Sequence, residues 1–286
     1  MAVTIIGCGD IGTRLALAYR ADGEEVTAWV RTAESAQRVR SLSLNVVQAD
    51  LDRDLAPSLK VDGGELFYFA PPSTKGEQDG RVSRFISLLG RGPLPEKVVY
   101  LSTSGVYGDC QGAWVDETRP PAPVADRAKR RLDAEQQWRG WSEDTGRGLV
   151  ILRVAGIYGP GKLPLERLRS GQPMVAETDA PITNHIHSLD LVRIAAIAMQ
   201  RGSSGEVYNV CDGAPEPMTR YFYQVADFLK LPRPPVITLE EAQHRLSPGM
   251  LSYLKESRRL SNRKLLEELG VELIYPSLQQ GLPASL

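Results

Sequence analysis

Three glycines near the start of the chain have the spacing of a phosphate-binding loop. Gly7, Gly9 and Gly12 form the pattern GxGxxG directly after the apolar run Ala2–Ile6, and a helical pattern follows. There the first glycine permits a tight turn, the second lets the backbone approach a pyrophosphate, and the third lets helix and strand pack closely. The loop predicts dinucleotide binding; the alternative is a tight strand-to-helix turn alone. Two residues that open the helix are also expected at the phosphates: Asp10 and Ile11.

The end of the second strand predicts which dinucleotide is bound. An acidic residue there would favour NAD, but the chain has Arg31 followed by Thr32, with no acid before Glu34. The guanidinium of Arg31 fits a 2′-phosphate and could also stack on adenine, whereas the alternative is a solvated surface arginine. NADP is therefore the expected cofactor, with NAD possible.

Two further positions are expected to contact the cofactor. Asp50 follows the third strand and would lie near the adenine, although a helix N-cap before Leu51 explains it equally well. Ala70 ends the fourth strand, immediately before Pro71. Both positions belong to the edge of the sheet where the glycine loop lies.

These residues require a parallel sheet whose strands end at one edge. Strand-like runs alternate with helical patterns, which predicts an α/β fold with a Rossmann doubly wound parallel sheet and a smaller C-terminal substrate lobe. We expect an NAD(P)-binding domain over residues 1–157, rejoined by about 186–210, and a substrate-binding lobe over 158–286. The predicted strands are Ala2–Ile6, Val26–Val30, Leu44–Gln48, Leu66–Ala70, Val98–Ser102, Leu149–Val154 and Val207–Val210. The first predicted helix follows the glycine loop and ends near Ala21. The other predicted helices cover about 78–89, 124–141 and 189–199.

Composition excludes several classes of protein. The net charge is −1, so no nucleic-acid partner is expected, and the basic cluster at 127–131 is interleaved with acids like an ordinary charged helix. Three separated cysteines argue against disulfides and against a metal site. No apolar run is long enough for a membrane span, and the start has no secretory pattern, so we expect a cytoplasmic protein without a membrane partner.

Later motifs resemble those of the extended short-chain dehydrogenase/reductases, the group of NAD-dependent sugar epimerases and dehydratases. The similarity covers nearly the whole chain. Its landmarks are the glycine loop, LSTSGVYGD (101–109), DETRPPAP (116–123), LRVAGIYGPG (152–161), IHSLDL (186–191), VYNV (207–210) and SNRKLLEEL (261–269).

The resemblance implies a catalytic Ser or Thr, then Tyr-x-x-x-Lys on the next helix. Thr103 matches the first position, but Arg127 and Arg131 stand at the tyrosine and lysine positions. Arginine keeps its proton near neutral pH and cannot replace the tyrosine's acid–base step. The chain is therefore similar to the atypical members that lack this tyrosine. The Asp and Glu of the dehydratases are also missing, because Ser104 and Gly105 occupy their positions.

Several residues remain candidates for the active site. Tyr107 is the nearest phenol that could replace the missing tyrosine, although the resemblance assigns it to loop support. Substrate contacts are expected from Ser104, Tyr158 and His187, and the resemblance often gives this histidine a structural role. Arg127 and Arg131, one helical turn apart, would bind an anionic group or the cofactor ribose, and Glu135 could neutralise one of them. The alternative is that both arginines fold away into salt bridges with Asp126, Asp133 or Glu135.

The resulting hypothesis is an NAD(P)-dependent oxidoreductase or epimerase-like enzyme of atypical chemistry. Its substrate is expected to be a small molecule, anionic or sugar-like. The alternative is a non-catalytic NADP(H)-binding sensor or regulatory protein, which the missing tyrosine favours. The resemblance also implies a possible homodimer through the helices that flank the fifth strand.

Overall fold

The computed structural model describes residues 2–53 and 64–286. Its strands are β1 (Ala2–Ile6), β2 (Glu25–Val30), β3 (Asn45–Gln48), β4 (Glu65–Tyr68), β5 (Lys97–Thr103), β6 (Trp114–Val115), β7 (Gly148–Val154), β8 (Gly156–Tyr158), β9 (Met174–Val175), β10 (Ile182–Thr183), β11 (His185–His187), β12 (Val207–Val210), β13 (Glu216–Pro217), β14 (Val236–Ile237) and β15 (Arg259–Leu260). Its helices are α1 (Asp10–Ala21), α2 (Ala33–Ser41), α3 (Gly80–Leu89), α4 (Asp126–Thr145), α5 (Leu165–Arg169), α6 (Ser188–Arg201), α7 (Met218–Phe228), α8 (Leu239–Arg245), α9 (Pro248–Leu254), α10 (Arg263–Leu269) and α11 (Leu278–Gly281). Two short 3₁₀ helices cover Ser104–Tyr107 and Leu282–Ser285.

A seven-stranded parallel sheet carries the fold, in the order β12-β7-β5-β4-β1-β2-β3. The central strands β4 and β5 carry unbroken runs of buried residues, Leu66–Tyr68 and Val98–Ser102, as expected for strands that are covered on both faces. Helices cover such a sheet because parallel neighbours need crossover connections. The predicted Rossmann-type α/β fold is confirmed.

Helix α2 differs from the sequence prediction, which placed no helix between the second and third strands. Its nine residues bury only Ala36 and Val39, so the apolar pattern is too sparse to reveal it. Thr32 supplies the N-cap, because its side chain accepts the N–H of Ser35. Strand β4 also ends earlier than predicted, at Tyr68, while Ala70 follows in the loop.

The charged face of α4 holds the segment before α3. Lys129 pairs with Glu77 at 2.6 Å, and the neighbouring Arg130 donates to the carbonyl of Gly76. Asp133 accepts the N–H of Asp79 at 2.7 Å. The interleaved charges of this helix therefore hold the loop before α3 in place.

The chain divides into two compact units, which we describe separately. The first comprises residues 1–106, 126–153 and 191–208, and the second comprises 107–125, 154–190 and 209–286. The first unit thus leaves the chain at 153, four residues before the predicted boundary at 157, and takes it up again over 191–208, within the predicted 186–210. It does not include 107–125, which the prediction had placed in it. Asn209 is fully buried in the second unit. Its side-chain oxygen accepts a hydrogen bond from the Tyr107 hydroxyl at 2.8 Å, and its backbone N–H donates to the Glu117 carboxylate.

None of the helices among residues 2–53 and 64–286 combines the length and the apolar character that a bilayer span needs. The same residues contain no group of three or more His, Cys, Asp or Glu side chains that could hold a metal ion.

Candidate functional site

The turn after β1 lies directly against the end of β4. Gly7 has a φ of +85°, and a Cβ built on it would lie 2.4 Å from the backbone nitrogen of Ala70. Only glycine fits such a close approach. The backbone of the loop is further held by Trp29 of β2, whose carbonyl accepts the N–H of Cys8 at 2.9 Å. The glycine loop and Ala70 therefore form one surface, as the sequence predicts for a cofactor site.

Gly9 opens that surface to a ligand. A Cβ built on it meets no heavy atom within 4 Å, so the backbone faces open space. Gly9 is also the N-cap of α1 and offers no side-chain cap to the N–H groups of the first turn. The Asp10 carboxylate is turned along the helix, where it pairs with Arg14 at 3.0 Å. An exposed helix start behind an open glycine backbone fits a pyrophosphate.

A cavity of about 270 Å³ adjoins this cradle. It lies where β1, β2, β3 and β4 end, which is the usual ligand position in an open α/β sheet. The cavity is lined by Ile6, Gly7, Trp29, Val30, Arg31, Thr32, Ser35, Ala49, Asp50, Leu51, Ala70, Pro71 and Arg81. The structure thus brings together four residues that the sequence predicts for the cofactor: Gly7, Arg31, Asp50 and Ala70.

Arg31 stands exposed on the rim of this cavity. Among residues 2–53 and 64–286, it makes no hydrogen bond or ion pair. The cavity also contains the start of α2, where the Thr32 hydroxyl donates to Ser35 Oγ at 3.0 Å. A guanidinium without a partner, beside hydroxyls and a helix start, is suited to an anionic group.

Asp50 lines the cavity, and no helix begins at Leu51 in the described residues, so the N-cap alternative does not apply. Its Oδ1 accepts the N–H of Asp52 at 3.0 Å. Its other oxygen lies 3.6 Å from Arg53 Nε. The carboxylate therefore supports the turn after β3 while facing the ligand space.

The sequence analysis missed the most connected residue of the cavity, Arg81. Its Nε and Nη2 donate to the two carboxylate oxygens of Asp52 at 2.7 and 2.5 Å. Its Nη1 donates to the carbonyls of Pro71 and Pro72 at 2.8 and 3.2 Å. Arg81 and Asp52 are far apart in sequence and carry no shared motif, so the printed sequence offers no signal for the pair.

Thr103 and Ser104 lie where β5 ends. The Thr103 hydroxyl accepts the N–H of Gly105 at 3.2 Å, and Ser104 is buried at the start of the 3₁₀ helix. A Cβ built on Gly105 would contact both Thr103 and Ala128, at 3.5 and 3.8 Å. The first turn of α4, which contains Ala128, therefore lies close to the end of β5 at Thr103.

Arg131 points into this end of the sheet. Its Nη1 donates to the carbonyl of Leu101 at 2.9 Å and to the hydroxyl of Tyr100 at 3.3 Å. Burial raises the pKa of Tyr100 to about 12, so this hydroxyl stays protonated and neutral. Both acceptors are neutral, and the charge of Arg131 is therefore not cancelled by them.

Glu135 does not serve Arg127 or Arg131, and that expectation was wrong. Its carboxylate accepts Arg153 Nε at 3.1 Å and Nη2 at 2.7 Å, and it also accepts the Ser102 hydroxyl at 2.6 Å. All its bonds go to strands of the sheet. Helical spacing puts Glu135 on the same face of α4 as Arg131, but its carboxylate is paired with the buried Arg153 of β7.

Three predicted site residues have supporting positions in the second unit. Tyr107 is 1% exposed, and its hydroxyl donates to Asn209. Tyr158 and His187 are both 0% exposed and pack edge to face at 5.1 Å between ring centres. The geometry therefore supports the loop-support alternative for Tyr107. It also replaces the expected substrate contacts of Tyr158 and His187 with packing roles, because a side chain without exposed surface offers nothing to a ligand.

The fold and the glycine cradle define a Rossmann-type α/β protein. The sequence profile of the NAD dependent epimerase/dehydratase family matches residues 83–211. A conserved protein of unknown function from Silicibacter pomeroyi has a structure that is 30% identical, with a TM-score of 0.85, over 99% of this chain and 97% of that one. The chain belongs to the NAD-dependent epimerase/dehydratase family.

Other relatives extend the comparison. Protein YeeZ of Escherichia coli is 26% identical over 282 residues, which are 96% of each chain. A ketoreductase of Stigmatella aurantiaca that acts on a farnesyl-dihydroquinoline oxide is 26% identical over 228 residues, 73% of this chain and 67% of that protein. The UDP-glucose 4-epimerase of Thermotoga maritima shares the fold at 19% identity, with a TM-score of 0.80, over 100% of this chain and 97% of its own.

Proposed function

We propose that this protein is an NADP-preferring oxidoreductase or epimerase-like enzyme that acts on a small anionic or sugar-like substrate. The observation that carries the proposal is the guanidinium of Arg31, which has no hydrogen bond or ion pair within residues 2–53 and 64–286 and lies at the rim of a cavity beside an open glycine cradle. An acid at this position would pair with the ribose hydroxyls of NAD, whereas Arg31 suits a 2′-phosphate.

The comparisons support an enzyme and its substrate class. The Stigmatella relative is a ketoreductase, and structural neighbours include a UDP-glucuronic acid 4-epimerase of Bacillus cereus in complex with NAD, at 17% identity. Hydride transfer is the chemistry that a bound nicotinamide cofactor supplies. We therefore propose a hydroxyl or carbonyl compound as the substrate, with a carboxylate or phosphate as its anionic group.

Thr103 and two arginines of α4 would position the substrate. The Thr103 hydroxyl lies at the end of β5 and would orient the reacting oxygen of the substrate. Arg127 and Arg131 would bind the anionic group, since planar guanidiniums bind such groups bidentately. Neither arginine can give up its proton near neutral pH, so this proposal contains no ordinary tyrosine-dependent step.

A second candidate is a non-catalytic NADP(H) sensor. It is favoured by the placement of Arg131, whose guanidinium bonds to the Leu101 carbonyl, and by the burial of Tyr107, the nearest alternative phenol. Such a protein would keep the cofactor cradle while lacking a proton carrier.

Binding and melting experiments test these functions. We expect NADPH to bind more tightly than NADH in calorimetric titrations, and an acidic metabolite to raise the melting temperature further in the presence of NADPH. Arg127→Ala should abolish the second effect. Arg139→Ala is the matched control, because Arg139 lies on the same helix and donates to the Gly205 carbonyl. If NADPH binds and no acid stabilises the complex, the sensor replaces the enzyme.

We further propose a homodimer through α3 and α4. A groove of about 600 Å³ between these helices is lined by glycines and apolar residues such as Ile86, Leu94 and Trp141, together with polar residues that include Gln137 and Asp144. Helix pairs that expose such a groove pack well against a symmetric copy. Light scattering should give a dimer mass for the wild type and a monomer mass for Gly140→Arg; a monomeric wild type would contradict the proposal.

A further inference from the structure

Arg81 is joined to both sides of the cofactor cavity. Its guanidinium makes four hydrogen bonds. Two go to the carboxylate of Asp52, in the turn after β3, and two go to the carbonyls of Pro71 and Pro72, after β4. The Arg81 side chain is only 10% exposed, whereas that of Asp52 is 41% exposed. The guanidinium is thus a fixed, buried partner for a carboxylate that reaches the surface.

Arg31 is one of two further guanidiniums near this carboxylate; the other is Arg84. The field of Arg31 helps to hold the pKa of Asp52 low, after the larger effect of the hydrogen bond from Arg81. Arg31 has no hydrogen bond or ion pair in the described part of the chain, and it lines the same cavity as Arg81. Asp52 is therefore a competitor for Arg31 whenever Arg81 does not hold it.

We propose that Arg81 is a positioning residue for cofactor choice. By binding both carboxylate oxygens of Asp52, it prevents Asp52 from pairing with Arg31 and leaves Arg31 for the 2′-phosphate of NADP. The inference rests on the proposed NADP-binding function, and it assigns the choice of cofactor to a pair of residues as well as to Arg31 itself. An unpaired Asp52 would also repel the 2′-phosphate, which NAD lacks.

A third arginine, Arg84, lies near Asp52 but is already engaged. Its Nη1 donates to the carbonyls of Leu51 and Gly80 at 3.0 and 2.8 Å. A released Asp52 would therefore find Arg84 engaged and Arg31 available, since Arg31 has no hydrogen bond or ion pair to any residue that the structure describes. Arg84 also provides a control, because its removal leaves the Asp52–Arg81 pair intact.

The test compares the affinities of NADPH and NADH in four proteins by calorimetric titration. In Arg81→Met, we expect the preference for NADPH over NADH to fall by about tenfold or more, as for loss of a charge-assisted hydrogen bond. The double variant Asp52→Asn/Arg81→Met should regain most of the preference, because the competing charge is gone. Arg84→Met should keep the wild-type preference. A purely structural role of Arg81 would weaken both cofactors alike, and Asp52→Asn would not rescue it.

The outcomes separate this inference from the proposed function. If wild type binds NADPH preferentially and Arg81→Met keeps that preference, or if the double variant is not rescued, the inference is wrong while the function stands. If wild type binds neither dinucleotide, both are wrong. Should Arg81→Met not fold, Arg81→Lys replaces it, because one ammonium cannot hold both Asp52 oxygens and both proline carbonyls. An unchanged preference in that variant also overturns the inference.

Discussion

Glu135 of α4 and Arg153 of β7 form a bidentate ion pair in the interior of the first unit. Their side chains are 1% and 5% exposed, and the two bonds measure 3.1 and 2.7 Å. The hydroxyl of Ser102 donates to the same carboxylate, so strands β5 and β7 are both joined to the helix. A variant that lacks one of these two residues therefore leaves the charge of the other buried without its ionic partner.

This pair should therefore be costly to break from one side. We expect Arg153→Met to lower the free energy of unfolding by about 3–5 kcal/mol, because it leaves a buried carboxylate with only a neutral donor. The double variant Glu135→Leu/Arg153→Met should recover much of the loss. Urea unfolding measures both. Arg233→Met, which breaks a pair that is half exposed, serves as the control and should change little. Equal losses in the single and double variants would contradict the argument.

Gly9→Asp tests the cradle. The new carboxylate would enter the open space over the Gly9 backbone and repel a pyrophosphate, so we expect no detectable NADPH or NADH binding in calorimetry. Gly249→Asp is the control, since it adds an acid to the first turn of α9 in the second unit. Unchanged affinity in Gly9→Asp would remove the dinucleotide site from this loop.

Arg31→Ala tests the phosphate contact directly. Loss of a hydrogen bond between two charged groups should weaken NADPH by about 1.5–3 kcal/mol and leave NADH unaffected. Titration of both cofactors distinguishes this from adenine stacking, which would weaken both equally. Arg40→Ala, in the last turn of α2, should alter neither affinity.

Asp212 predicts a dependence of stability on pH. Burial is the largest cause that raises its pKa to about 7, and the nearby carboxylate of Glu216 adds to the shift. A free aspartate has a pKa of about 3.9, so between these values the folded state binds more protons than the unfolded state. This group therefore favours folding below about pH 4, and its contribution is lost as the pH rises to about 7.

The Asn variant isolates that contribution. Asp212→Asn keeps an acceptor for the N–H of Ala214 but cannot ionise. Relative to wild type, its free energy of unfolding should rise between about pH 4 and pH 7 by up to about 1.4 kcal/mol per unit. His185, whose pKa burial lowers to about 4, has the opposite effect but is present in both proteins. Parallel pH profiles would show that Asp212 titrates normally.

Local patterns were sufficient for the cofactor cradle. Strand β1, its glycines and Arg31 lie within one supersecondary unit, where spacing and geometry correspond closely. The surroundings of Arg131 were predicted less accurately. The spacing of residues along α4 shows which of them share a helix face, but it does not show which residues pack against that face. Arg153 lies inside an apolar strand, and nothing in its neighbours indicates that it binds Glu135.

The second unit was the least predictable. Its strands β9, β10 and β13 have two residues each, too short for any periodicity. The burial of Tyr158 and His187 depends on packing partners distant in sequence, such as Tyr275, whose ring centre is 4.2 Å from that of His187. Motif resemblance places such residues near a site, but only the packed structure shows whether they reach a ligand.

The bonds of Arg131 also limit how easily this chain could change its chemistry. Restoring the family pattern needs Arg127→Tyr and Arg131→Lys, yet the second change withdraws a planar donor from the Leu101 carbonyl and the Tyr100 hydroxyl together. A lysine that turned to a cofactor would leave that buried hydroxyl and carbonyl without their shared donor. Two substitutions are therefore not enough for that change, because the hydroxyl at position 100 depends on the donor at position 131.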